Sequence, residues 1–230
     1  MPNHSLRTFG VNDHYFSPMT NTTATLLDTA LEGRRLLDHP FYRRWENGEL
    51  VEGELQHYAE QYRFFEANLP LFLSELASRL PEGAALDAVR ANLRDEVAAP
   101  SHLDLFENFA SFYNATDADI SPAMKNLVDT YHAVLNESDA AAIAGLLAYE
   151  AQGADIADTK AEGLRAHYGA SRTATTFWDV HGNVEADHAS WTMEALESLN
   201  ADDVVVLDAA RRVANAWWDF LTERDALVAA

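Results

Sequence analysis

From residue 24 to residue 227, apolar side chains return every third or fourth position, and no stretch alternates apolar with polar as a half-buried strand would. That pattern admits amphipathic helices and little else. Helices are predicted over 24–46, 53–79, 85–98, 102–114, 121–135, 138–167, 172–198 and 201–227. β-Branched residues are sparse apart from Val204-Val205-Val206, so the usual strand formers are missing. The breaks have plain causes. Asn47-Gly48 and Pro81-Glu82-Gly83 are turn formers. Pro100 interrupts a helix and Ser101 is placed to cap the next, while Ser121-Pro122 sets proline at a first helical position. Gly169-Ala170-Ser171 separates the two long C-terminal helices. Connections this short make successive helices neighbours, which predicts an all-α bundle of seven or eight helices. Residues 1–22 are polar and aperiodic. They read as a flexible extension, with Met19 as an alternative start, ahead of one helical domain over 23–230.

Composition narrows the chemistry. Cysteine is absent, which removes disulfides, thiolate metal sites, iron–sulfur clusters and cysteine nucleophiles together. The 37 acidic residues outnumber 16 basic ones, for a formal net charge of −21. Lysine occurs only at Lys125 and Lys160. Such a surface repels nucleic acid and anionic membranes. It also suits high salt, where screening relieves self-repulsion, so a halophilic source is expected. No apolar run reaches the length of a membrane span and no charged-then-apolar leader opens the chain. The expectation is a soluble, cytoplasmic protein, most simply a homodimer.

Chemistry concentrates in His181-Gly-Asn-Val-Glu185-Ala-Asp-His188. On a helix of about 3.6 residues per turn, two imidazoles and a carboxylate at i, i+4 and i+7 share one face. That is a ligand set for iron or manganese, although a solvated helix face would read the same way. Glu150 lies in an otherwise apolar or small-residue run, Gly145-Leu-Leu-Ala-Tyr149-Glu150-Ala. Buried there it would need a partner, a proton or a metal, and exposed it would need nothing. Glu96 and His102 bracket Pro100; the proline breaks the helix, so the loop can turn His102 back toward Glu96. Glu96, His102, Glu150, His181, Glu185 and His188 thus offer three carboxylates and three imidazoles. Two divalent ions would leave this set about one positive charge, a state suited to binding O2.

The run Asp38-His-Pro-Phe-Tyr42-Arg-Arg-Trp45-Glu-Asn-Gly48, then Leu55-Gln-His-Tyr58-Ala-Glu-Gln61-Tyr62, resembles the haem-oxygenase-like helical proteins. Within them it is most similar to the branch of the pyrroloquinoline quinone synthase superfamily that contains the Chlamydia protein associating with death domains. Asn92-Leu-Arg-Asp-Glu96, Tyr149-Glu150-Ala-Gln152 and H-x3-E-x2-H extend the similarity over roughly residues 30–225. The resemblance implies a haem-oxygenase-like fold holding two irons, or one manganese and one iron, with the six residues above as ligands. Two departures follow. The implied E-x6-H spacing is one residue longer than Glu96 to His102, which leaves Asp95 as the alternative. Glu185 stands where relatives often carry aspartate, and its longer reach suits bridging two metals.

The resemblance further implies an enzyme that makes p-aminobenzoate from its own side chains, for folate or pterin synthesis. Tyr42 matches the tyrosine that supplies the ring, and Lys160 matches the implicated lysine. Tyr58, Tyr62, Tyr149 and Phe177 match inward positions that shield the site or relay electrons, whereas Trp178, Trp191, Trp217 and Trp218 read as packing. The expected co-substrates are O2, activated to attack the tyrosine, and a reductant. Rival readings are a dimetal oxidase of an external fatty acid or amino acid, and a metal-free ring oxidase resembling pyrroloquinoline quinone synthase. A haem oxygenase using His39 and a non-enzymatic acidic adaptor complete the alternatives.

Overall fold

Side-chain caps decide where most of the helices begin. In a computed structural model that describes residues 22–51 and 53–227, Thr22, Ser101, Ser121, Ser138, Ser171 and Asp202 each accept a hydrogen bond from a backbone N–H of the first turn that follows. Ser101 and Asp104 form a reciprocal capping box. The helices are α1 (Thr23–Ala30), α2 (Pro40–Glu46), α3 (Glu54–Arg79), α4 (Ala84–Val97), α5 (His102–Phe112), α6 (Pro122–Glu137), α7 (Asp139–His167), α8 (Arg172–Ser198) and α9 (Asp203–Ala226). The described residues contain no strand. Apart from Thr22, the extension expected over 1–22 lies outside the described residues.

The helix predicted over 24–46 is two helices joined by a 3-10 turn at Leu36–Asp38. Gly33 takes φ +67, a left-handed conformation open to glycine at little cost. Pro40 then holds His39 extended at φ −69, ψ 137, as a residue before proline prefers. The observed count therefore exceeds seven or eight by this division. The other predicted helices stand, with ends within a few residues.

α7 forms the spine. It is buried on nearly every side, as expected of a helix whose apolar residues encircle it, and it packs most extensively on α8 and α9. Gly163 admits Trp45 of α2, since a Cβ there would stand 2.9 Å from the indole and 3.1 Å from its backbone oxygen. The indole N–H of Trp45 donates to the Lys160 carbonyl at 3.2 Å. Around this joint Tyr58, Tyr62, Phe106, Phe109, Phe177, Trp178 and Trp217 make an aromatic core. Trp178 and Trp217 pack as predicted; Trp191 and Trp218 remain partly exposed.

Candidate metal centre

Four helices supply the six candidate ligands. α4 brings Asn92 and Glu96, α5 opens with His102, α7 brings Glu150, and α8 brings His181, Glu185 and His188. All six candidate ligands are buried, Glu150 to 7 % exposure and His188 to 1 %. Solvated side chains would not be hidden this way, so the adaptor reading fails.

The turn at Pro100 does what its position suggested. Oε1 of Glu96 and Nδ1 of His102 lie 3.0 Å apart, yet that nitrogen has no hydrogen-bond partner. A carboxylate oxygen and an imidazole nitrogen that converge this closely can share a cation. One ligand atom each from Glu96, His102 and His181 falls within 4.8 Å of the others. His181 Nδ1–H donates to the Phe177 carbonyl at 2.8 Å, which leaves Nε2 free for a metal. That nitrogen is 3.8 Å from Oε1 of Glu185.

Asp95, the alternative to Glu96, takes another place. Half exposed, it accepts from Nε2 of His188 at 3.2 Å. Asn92, to which the sequence assigned no role, donates to Oε1 of Glu150 at 2.6 Å. The second oxygens of Glu150 and Glu185 have no partner. Oε2 of Glu185 lies where a Cβ on Gly153 would approach to 2.7 Å, so the bare glycine makes room for the longer carboxylate. Burial pushes the Glu150 and Glu185 carboxyls up, and for Glu185 the neighbouring Glu150, Glu96 and Glu66 add to it. Burial, with His102 nearby, lowers His181. Buried carboxylates and imidazoles gathered this way are the donor set of a hard or borderline cation, and the residues present fit a pair of iron or manganese ions.

Beside these ligands lies a second buried cluster. Tyr42 and Tyr58 hydroxyls are 3.0 Å apart, and Lys160 Nζ donates to Tyr58 at 2.8 Å. The amine stands 4.6 Å from the Tyr42 ring and 4.1 Å from that of Trp178. Burial lowers Lys160 well below the usual lysine range, which favours the neutral amine. Tyr62 and Tyr149 line the metal cavity and share a 2.7 Å hydrogen bond. Tyr62 stacks on Tyr58 at 5.3 Å. Tyr42 does not line the cavity; Tyr58 lies against Tyr42 on one side and against Tyr62 on the other. The cavity has room for about one water.

The sequence reading missed Glu66, a buried α3 residue that lines this cavity. Its signal was present: Glu66 follows Tyr62 by one turn on the same face as Tyr58, Ala59, Phe65 and Leu73. His39 is not a haem ligand in waiting. Its Nδ1 accepts from the Phe41 N–H and its Nε2–H meets Thr222 at 3.1 Å, so both nitrogens are used.

Helical layers around a buried carboxylate–imidazole cage define a haem-oxygenase-like redox protein. Solved structures share the fold: a TenA homologue of Pseudomonas syringae pv. tomato superposes with a TM-score of 0.73 at 14% identity, covering 88% of this chain and 92% of that one. A CADD-like protein of Nostoc punctiforme reaches 0.68 at 13% identity, over 86% and 97%. Residues 56–218 match the family model described as iron-containing redox enzyme. Among curated proteins, the 4-aminobenzoate synthase of Nitrosomonas europaea is 34% identical over 222 residues, 88% of this chain and 90% of the relative. That of Chlamydia pneumoniae is 30% identical over 208 residues, 86% and 92%. The chain belongs to this family of iron-containing redox enzymes, and it is an oxidoreductase that uses metal.

Proposed function

We propose that the chain is a 4-aminobenzoate synthase that consumes its own Tyr42, with two irons or a manganese–iron pair held by Glu96, His102, Glu150, His181, Glu185 and His188. The observation that carries this reading is the Lys160 amine, buried, hydrogen-bonded to Tyr58 and set over the Tyr42 ring. The chain's similarity to the 4-aminobenzoate synthases of Nitrosomonas europaea and Chlamydia pneumoniae supports it. When bound, the metals supply oxidising power from O2 with electrons from an external reductant.

The product defines what must happen to the tyrosine. The Cα–Cβ bond breaks and leaves the main chain behind, O2 with the external reductant oxidises Cβ to a carboxylate, and an amine nitrogen replaces the phenolic oxygen, which departs as water. Lys160 is the amine candidate because its Nζ lies within 4.6 to 5.1 Å of the Tyr42, Tyr58 and Tyr62 ring centroids. Tyr149, Tyr62 and Tyr58 connect the cavity with Tyr42 through two hydroxyl pairs and one stacked ring pair. Burial pushes all four phenols up, so they stay protonated and can lose a proton together with an electron. The small cavity speaks against a bulky external substrate. The same reading makes the protein a cytoplasmic homodimer adapted to salt, in keeping with its charge of −21.

Tyr42→Phe is the test. The variant is expected to bind metal as the wild type does and to release no 4-aminobenzoate, while the wild type releases at most one molecule per chain. Product from the phenylalanine variant would sink the self-consuming reading.

A further inference from the structure

Glu66 lies on α3, one turn after Tyr62 and one turn before Pro70. Its side chain is 2 % exposed and its Oε2 has no hydrogen-bond partner. It lines the cavity that Glu96, Glu150, His181, Glu185 and His188 also line. Elsewhere buried carboxylates find donors: Glu60 accepts from Thr116 and Gln56, and Glu54 from Arg44 and the Val51 N–H. Burial with the Glu96 charge pushes the Glu66 carboxyl well up, and the Tyr62 hydroxyl and Lys160 offset this only in part. The nearby Lys160 amine gives its hydrogen bond to Tyr58. A carboxylate placed this way lacks a cation.

We propose that Glu66 is a fourth carboxylate ligand of the metal centre, reaching it from α3, a helix that supplies none of the other six; this rests on the dimetal reading above. Two divalent ions against three carboxylates leave a net positive charge in a buried site, and Glu66 brings the cluster to neutrality. Pro70 assists, since it has no N–H to offer the Glu66 carbonyl. The helical ladder is interrupted at the residue that carries the carboxylate, and the backbone there is freer to adjust to an ion. Glu66 also lies on the same helix as Tyr58 and Tyr62, which joins the metal centre to the path toward Tyr42.

The test compares metal-free wild type, Glu66→Gln, Glu66→Leu and His188→Ala, each titrated with Mn(II) and followed by metal content and electron paramagnetic resonance. The wild type is expected to take up two ions with a spin-coupled signal. Both Glu66 variants are expected to keep one, or to bind the second at least about tenfold more weakly, with an uncoupled signal. Their metal-free melting temperatures should equal or exceed that of the wild type, because an unpartnered buried carboxyl is gone. Two coupled ions at unchanged affinity in Glu66→Gln overturn the role of Glu66 and leave the dimetal reading standing. Lower metal-free melting in both variants overturns it too, marking Glu66 as structural. A wild type that binds no metal, like His188→Ala, overturns both readings.

Discussion

His39 and His181 are both buried, and the backbone commits each of them differently. In His39, Nδ1 accepts from the Phe41 N–H at the start of α2, while Thr222 spends its own hydrogen on the Trp218 carbonyl and so accepts from Nε2–H. Burial holds this ring at about 4, below its ordinary value of 6.5. The sign follows from linkage: between those values the unfolded chain binds the proton and the folded one does not. The stabilisation is complete above 6.5 and fades as pH falls toward 4. Thermal melts should therefore drop between pH 7 and pH 5 by an amount worth of order 1 kcal/mol. His39→Asn, which keeps a capping oxygen but gains no proton, should flatten that part of the pH profile. An unchanged slope would remove His39 from the account. In His181 the Phe177 carbonyl takes Nδ1–H and leaves a lone pair facing Glu96 and His102. Sequence alone marked His181 as a candidate, but the tautomer comes from a backbone oxygen one turn away.

Among the helices, close approach is controlled by glycines of α7. A Cβ on Gly163 meets the Trp45 backbone at 3.1 Å, whereas one on Gly145 meets only methyl groups of Val134 and Val213 at 3.0 and 3.1 Å. Valine methyls can shift by a few tenths of an ångström; the α2 backbone cannot move without dragging Tyr42. Gly163→Ala should cost about 1–3 kcal/mol in denaturant titrations. Gly145→Ala should sit near neutral, because the helix propensity of alanine, worth about 1 kcal/mol, offsets the crowding. Equal costs would show that α2 is not pinned at Gly163. The helices themselves were legible in the sequence where caps and breakers are local, as at Ser101, Pro122 and Ser171. α1 and α2 were merged because Gly33 looks harmless inside an apolar repeat and the Arg34-Arg35 pair continues it.

For the whole molecule, charge sets the working conditions. A formal net charge of −21 is self-repelling in dilute buffer, where the Debye length is about 10 Å at 0.1 M and about 3 Å at 1 M salt. Melting temperature should climb as potassium chloride is raised toward molar levels, by about 2–4 °C for each kcal/mol of repulsion removed. A flat or falling trend would argue that the acidic surface is already compensated and would undo the halophilic expectation. The sequence by itself determined the all-α class, most helix boundaries and the facing of His181, Glu185 and His188, because helical periodicity and capping act within one or two turns. Only the tertiary structure decided that Glu96, not Asp95, meets His102, that Glu66 joins the cavity, and that Tyr42 stands behind Tyr58 and Tyr62. Each of those depends on how separate helices rotate and approach, which is fixed by packing between residues far apart in the chain.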